Sequence, residues 1–256
     1  MFNNHKYYVG YNSDDLVFGY TKRTNGISNY PRDSFNMALY IGDAPANVHH
    51  HQSLLSEEIG FDRESFVMPV QGHDNHVYEV TRNDRGTNIN ELTDNIHNID
   101  ALYTYDRDVL LAMNYADCTP IYIYSVENSF IGLVHAGWKG TKKEVLKKLL
   151  DHYDGDLDDL RVVIGVTING DYYEVDDNVI NETFKVPDYA VKRVSDGKYL
   201  LDLKAVNKRE ALEYGVKEEN IHVTPLGTES DDFFSFRLEK GNTGRALGFI
   251  GRKSID

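Results

Sequence analysis

Residues 131–141 read IGLVHAGWKGT, an apolar strand-like run that ends in a histidine, the chain's single tryptophan and a lysine between two glycines. Apolar runs of this kind usually end in turn formers such as Asp, Asn or Gly. A run that ends in His135 and Trp138 places chemistry-bearing side chains at the mouth of a strand, where layered α/β proteins commonly keep their sites. Two other apolar runs end alike: "VMPVQG" leads into His73, and "VLLAMNYAD" leads into Cys118. Three such strand ends can meet at one point.

Working outward, "SFVMPV" (65–70), "VLLAM" (109–113), "PIYIYS" (120–125) and "FIGLVHA" (130–136) have the short, β-branched or aromatic composition of strands and are expected to form one central sheet. Helical periodicity is expected over 43–59, with Asp43 as N-cap and Val48, Leu55 and Ile59 inward. It is also expected over 141–153, capped by Thr141, and over 202–215, ending at Gly215. Residues 81–99 are polar, without a period, and read as a long loop. The pattern is mixed α and β in a single domain over 1–256, and a sheet buried on both faces accounts for the near-continuous apolar runs.

Composition removes whole classes. The chain has 41 acidic against 27 basic residues and a net charge of −14, so its long-range field repels nucleic acid and anionic lipid. It has no apolar run long enough to span a membrane and no basic-then-apolar leader, so a cytoplasmic location is expected. The single cysteine, Cys118, makes no intrachain disulfide and suits a reducing compartment.

Imidazole, thiolate and imidazole from His73, Cys118 and His135 make a plausible zinc set with a fourth position open, as catalytic zinc sites have. Their separations of 45 and 17 residues match no compact zinc finger, so spacing alone leaves two structural histidines and an inert buried thiol as the competing reading. His49, His50 and His51 are no better as a tract, because successive helix positions point about 100° apart. They read as a mostly solvated face, with His51 turned toward the pocket. "KKEVLKK" reads as the wet side of an amphipathic helix, and two or more of Phe233, Phe234 and Phe236 as strand core rather than purine-stacking rings.

The motifs "QGHDNHV" (71–77), "DALYTYDRDVLLAMNYADCTPIYIYS" (100–125), "VHAGWKGT" (134–141), "IGVTINGDYYEV" (164–175) and "DDFFSFRLEKGNTGR" (231–245) come in an order that resembles the laccase-domain family, once labelled polyphenol oxidases and later described as zinc-dependent purine nucleoside phosphorylases. The resemblance runs from about residue 18 to the carboxyl end. It implies a mixed sheet covered by helices, distantly like the Cys–His toxin deamidases, with zinc held by His73, Cys118 and His135. It also implies phosphorolysis of adenosine, inosine, guanosine and methylthioadenosine, together with deamination of adenosine. Asp117 and Lys139 are then the candidates for proton transfer and charge stabilisation, and Arg23, Asn36, Gln52, Gln71 and Arg245 for contacts with purine nucleoside and phosphate. The chain departs from the family pattern at Asn25-Gly26-Ile27-Ser28, Gly165-Val166, Gly227-Thr228, and His51-Gln52, where the family carries Asn-Arg. Glutamine cannot copy the forked contacts of arginine. Copper would bind the same ligands tightly, but a multicopper oxidase centre needs many more imidazoles in close pairs. Two other functions remain open on the residues: a Cys118–His135 amidase or peptidase of the kind that edits cell-wall precursors, and a nucleoside-binding protein without turnover.

Overall fold

The computed structural model describes residues 2–29, 32–181 and 184–255. The apolar runs do not share one sheet. Phe66–Val67 and Leu110–Tyr115 belong to a six-stranded sheet that also holds Asn3–Asn4, Tyr8–Asn12, Leu16–Thr21 and Ala246–Arg252. Thr119–Ser125 and Ile131–Ala136 belong to a second six-stranded sheet, with Val77–Glu79, Ala101–Thr104, Leu160–Ile164 and Ile221–Val223. Each sheet is antiparallel through its middle and gains parallel partners at its edges, so both are mixed.

The two sheets face each other, and the strand period of two decides who sits between them. In Leu110–Tyr115, Leu111, Met113 and Tyr115 point into the space between the sheets, while Leu110 and Ala112 face outward. In Ile131–Ala136, Ile131 and Leu133 point inward and Val134 and Ala136 outward. His135 falls on the inward row, one step past Leu133, which is why the strand can end in an imidazole that looks into the molecule. Continuous apolar runs correctly signalled burial on both faces, but one face is covered by the other sheet and one by helices.

Those helices are α1 (Pro45–Ile59), α2 (Trp138–Lys142), α3 (Val145–Leu150) and α4 (Leu203–Tyr214). Helix α1 lays Leu55 and Ile59 on the outer face of the first sheet, against Leu110, Leu247 and Phe249. Helix α3 lays Val145, Leu146, Leu149 and Leu150 on the outer face of the second sheet. The start of α1 lies one residue later than Asp43 would place it: Ala44 is the N-cap, although the Asp43 carboxylate still accepts from the Ala44 N–H at 2.8 Å. The helix expected over 141–153 is broken. Glu144 adopts a left-handed backbone, φ 58°, and Thr141 is buried inside α2, accepting from Asn207 rather than capping anything. Helix α4 begins after an Asp202 cap and ends at a left-handed Gly215. The strand expected over 65–70 shortens to Phe66–Val67, since Pro69 has no N–H to give a ladder. Residues 81–99 form the expected loop, interrupted by one short turn of helix at Arg82–Asp84. A small sheet of Glu174–Asp176, Lys198–Leu201 and Val191–Ser195 packs beside α4. Phe233 and Phe234 are core residues, but in a turn rather than a strand, and Phe236 is half exposed. No helix is long and apolar enough to cross a membrane among the described residues.

Candidate active site and metal centre

The chain leaves the first sheet at Tyr115, passes through Ala116, Asp117 and Cys118, and enters the second sheet at Thr119. Cys118 therefore sits on the crossover between the sheets. His73 is on the loop that follows Phe66–Val67, and His135 is near the end of its strand in the second sheet. The structure brings the three together: one donor atom from each lies within 4.8 Å of the other two, and this is the one group of three or more possible metal donors among the described residues. The rings of His73 and His135 meet edge to face at 4.9 Å.

The set has the chemistry of a metal site. His135 Nδ1 lies 2.8 Å from Asp100 Oδ1, so the ring donates its Nδ1–H to that carboxylate and Nε2 is the nitrogen left for a ligand role. Burial pushes the Cys118 thiol up, but the His135 and His73 imidazoles outweigh it and hold the thiol at about 6. Burial likewise pushes His135 down, and Cys118 with Asp100 outweigh it, to about 9. A thiolate beside imidazoles suits a borderline-soft divalent cation. Gly137 makes the approach possible, because a Cβ there would stand 2.7 Å from Cys118 Sγ.

Asp100 was not among the residues the sequence singled out, yet it organises the centre. Its side chain is fully buried. Besides His135 it accepts from the backbone N–H groups of Gly72 at 3.1 Å, His73 at 3.0 Å and Asp74 at 2.8 Å. Those three bonds hold His73 in a left-handed conformation, φ 58°, which non-glycine residues adopt only when something fixes them there. Burial raises the Asp100 carboxyl, and His135 with the backbone donors more than reverses this, keeping it below the ordinary range.

The three donors open onto a cavity of about 590 Å³, within the range of small-molecule sites. Asp117, Gln71 and Arg245 share its wall with Tyr40, Leu92, Asn114, Trp138, Ile168, Tyr173, Leu203, Phe236 and Arg237. Asp117 accepts from the Thr228 hydroxyl at 2.5 Å and from the Arg237 N–H at 2.8 Å. Gln71 exchanges two hydrogen bonds with the backbone of Asn114, at 2.9 and 3.0 Å.

Four other candidates stand away from the wall. Arg23 pairs with Glu239 at 2.9 Å. Lys139 lies over the Trp138 ring, 5.7 Å from its centre, and is not on the wall. Asn36 is buried, with Oδ1 accepting from the Arg245 N–H at 3.0 Å, so it stands behind the cavity. Gln52 is buried too and accepts from Arg63 Nε at 3.0 Å, so a guanidinium does reach this position, from another segment. His51 is not on the wall either: it packs on Phe35 and bonds the Ile27 N–H at 3.0 Å and the Asn36 carbonyl at 2.7 Å. Arg237, Tyr173 and Thr228 were missed as wall or supporting residues. The only sequence signals for them were the place of Tyr173 and Arg237 inside family motifs and of Thr228 at a departure from the family pattern.

Comparison with known proteins agrees over nearly the whole chain. The family model described as multi-copper polyphenol oxidoreductase laccase matches residues 17–253. A Staphylococcus aureus protein named purine nucleoside phosphorylase YlmD is 48% identical over 244 residues, covering 93% of this chain and 92% of that one. A Staphylococcus epidermidis protein, also named a purine nucleoside phosphorylase, is 44% identical over 256 residues, covering 96% and 97%. Among solved structures, YlmD from Geobacillus stearothermophilus superposes with a TM-score of 0.90 at 33% identity, over 99% of both chains. YfiH from Bacillus licheniformis gives 0.89 at 32%, over 93% of both. The fold, the donor set at the sheet crossover and these matches agree: the chain belongs to the laccase-like family of YfiH and YlmD.

Proposed function

We propose that the cavity is the active site of a zinc-dependent purine nucleoside phosphorylase, with adenosine, inosine, guanosine and methylthioadenosine as substrates and with adenosine deamination as a second activity. The observation that carries this reading is the placement of His73, Cys118 and His135, donor atoms within 4.8 Å, on the wall of a cavity of about 590 Å³. The names of the Staphylococcus relatives support the reaction class. Two imidazoles and a thiolate suit zinc with one position open, and one such group among the described residues is too few for a multicopper chain of centres.

When bound, zinc supplies Lewis acidity at the cavity wall. The chain's own residues do the rest. Asp100 fixes the His135 ring and the His73 loop. Asp117, the one carboxylate on the wall, is the candidate to carry a proton to the departing purine nitrogen. Trp138, Tyr173 and Phe236 offer faces for the flat base, and Ile168 and Leu203 keep water from it. A lone thiol that must stay reduced is in keeping with work in the cytoplasm.

Chromatography of adenosine incubated with zinc-loaded protein, with and without phosphate, tests the reading beside a Cys118→Ala control. Adenine formed only with phosphate supports phosphorolysis, and inosine formed with or without phosphate supports deamination. The control should give neither. If the loaded wild type releases no free base from adenosine, inosine, guanosine or methylthioadenosine and forms no inosine from adenosine, the proposal fails. One observation favours a second reading: thiolate, imidazole and carboxylate at Cys118, His135 and Asp100 also have the order of a cysteine hydrolase. Amide cleavage by metal-free protein would establish that alternative.

A further inference from the structure

Seven arginines of this acidic chain pair with carboxylates. Arg237 and Arg245, both on the cavity wall, pair with none among the described residues. With 41 acidic against 27 basic residues, two guanidiniums left without an anion inside one cavity call for a reason. We propose that Arg237 and Arg245 together form the seat for inorganic phosphate, an inference that rests on the phosphorylase reading and adds to it the residues that bind the second substrate.

Both side chains are held in advance. Arg237 stacks on Tyr173, 4.8 Å from the ring centre, with Nη1 donating to the Glu174 carbonyl. Arg245 stacks on Phe236 at 5.1 Å, and its Nη1 donates to the carbonyls of Thr243 and Gly244 at 3.0 Å each. Fixing one edge of each guanidinium on backbone and ring leaves the charge fixed and lowers the entropy lost when an anion binds. Asp117, the one carboxylate on the wall among the described residues, is already occupied by the Thr228 hydroxyl and the Arg237 backbone N–H, which spreads its charge. The Arg237 backbone N–H donates to Asp117, the neighbour of Cys118, and Arg245 lies over Phe236, the neighbour of Arg237, so both cations belong to the Cys118 end of the cavity. Forked donors in an apolar-walled cavity suit a phosphate dianion.

In the reaction this seat serves, a phosphate oxygen forms a bond to C1′ of the ribose as the bond from C1′ to the purine nitrogen breaks. The bonding pair leaves with the purine, which takes up the proton that the phosphate dianion gives up on becoming an ester, and the products are ribose 1-phosphate and free base. No electron carrier is required.

The test uses zinc-loaded protein with Arg237→Gln, Arg245→Gln and the charge-keeping Arg237→Lys. Loss of one forked contact raises the KM for phosphate about tenfold or more, while the KM for nucleoside stays within about twofold. Arg237→Lys falls between wild type and Arg237→Gln. A second measurement needs no turnover: inorganic phosphate raises the unfolding temperature of the wild type, and this protection is lost in both Gln variants. If the wild type releases purine in a phosphate-dependent way but the variants keep its phosphate KM and its protection, the seat is elsewhere. If the wild type releases no purine, yet phosphate protects it and not the variants, the seat stands and the phosphorylase reading falls. Arginine-dependent protection by adenosine 5′-monophosphate without any by inorganic phosphate overturns the proposal in favour of a nucleotide site.

Discussion

Replacing Asp100 with Asn removes one acceptor oxygen while barely changing shape, which isolates what that oxygen does. Four donors converge on the carboxylate: the N–H groups of Gly72, His73 and Asp74, and Nδ1–H of His135, at 2.8 to 3.1 Å. Each Asp100 oxygen serves two of them, so whichever way Asn turns, its NH₂ faces two donors in a fully buried place. A buried donor left unmet costs about 1 to 3 kcal/mol, so two of them put the loss of stability at roughly 2 to 6 kcal/mol. Metal affinity falls as well, by about 10- to 100-fold, because the His135 tautomer and the left-handed turn at His73 lose their anchor. Urea unfolding of the metal-free variant and competition for zinc against a chromogenic chelator measure the two effects separately. An Asp100→Asn protein that unfolds within about 0.5 kcal/mol of wild type and holds zinc within about twofold would refute the role assigned to this carboxylate.

Two further substitutions probe the surroundings. Gly137→Ala places a Cβ 2.7 Å from Cys118 Sγ, so the thiol must turn away; zinc affinity should drop about tenfold or more by the same competition assay, and unchanged affinity would show the crossover yields freely. Glu210 is buried in α4, and burial first, with the charge of Glu144, raises its carboxyl to about 7 despite the Lys147 N–H that it accepts. Because the folded protein then binds more protons than the unfolded chain between about 4.5 and 7, stability from this group is present at low pH and lost as pH rises through that window. Glu210→Gln should therefore flatten the dependence and be more stable at pH 8 by up to about 3 kcal/mol; a pH profile parallel to wild type contradicts this.

Much of the centre was legible because its residues interrupt patterns. A histidine, a cysteine and another histidine each stood where an apolar run stopped, and the structure gathers all three. The two-sheet arrangement was not legible, since a run such as Leu110–Tyr115 says that both faces are buried without saying by what. Asp100 was hidden for another reason: nothing in "NIHNID" distinguishes it from a loop residue, and its partners at 72–74 and 135 are brought to it only by the fold. The break at Glu144 defied helix propensity in the same way, with α2 and α3 each following its own packing surface. Arg237 lacked a local signal too, because what marks it is a place on the cavity wall with no carboxylate partner among the described residues, which is a property of the assembled surface.

The crossover at Cys118 carries one more consequence. His73 and Cys118 lie on two separate crossings from the first sheet to the second, and His135 belongs to the second. An ion bound to all three would act as a clasp drawing both crossings onto one strand end: at a free concentration 1,000 times its dissociation constant it would add about 4 kcal/mol to the folded state. That added strength would act on the crossings rather than within either sheet, along the same line where the cavity opens.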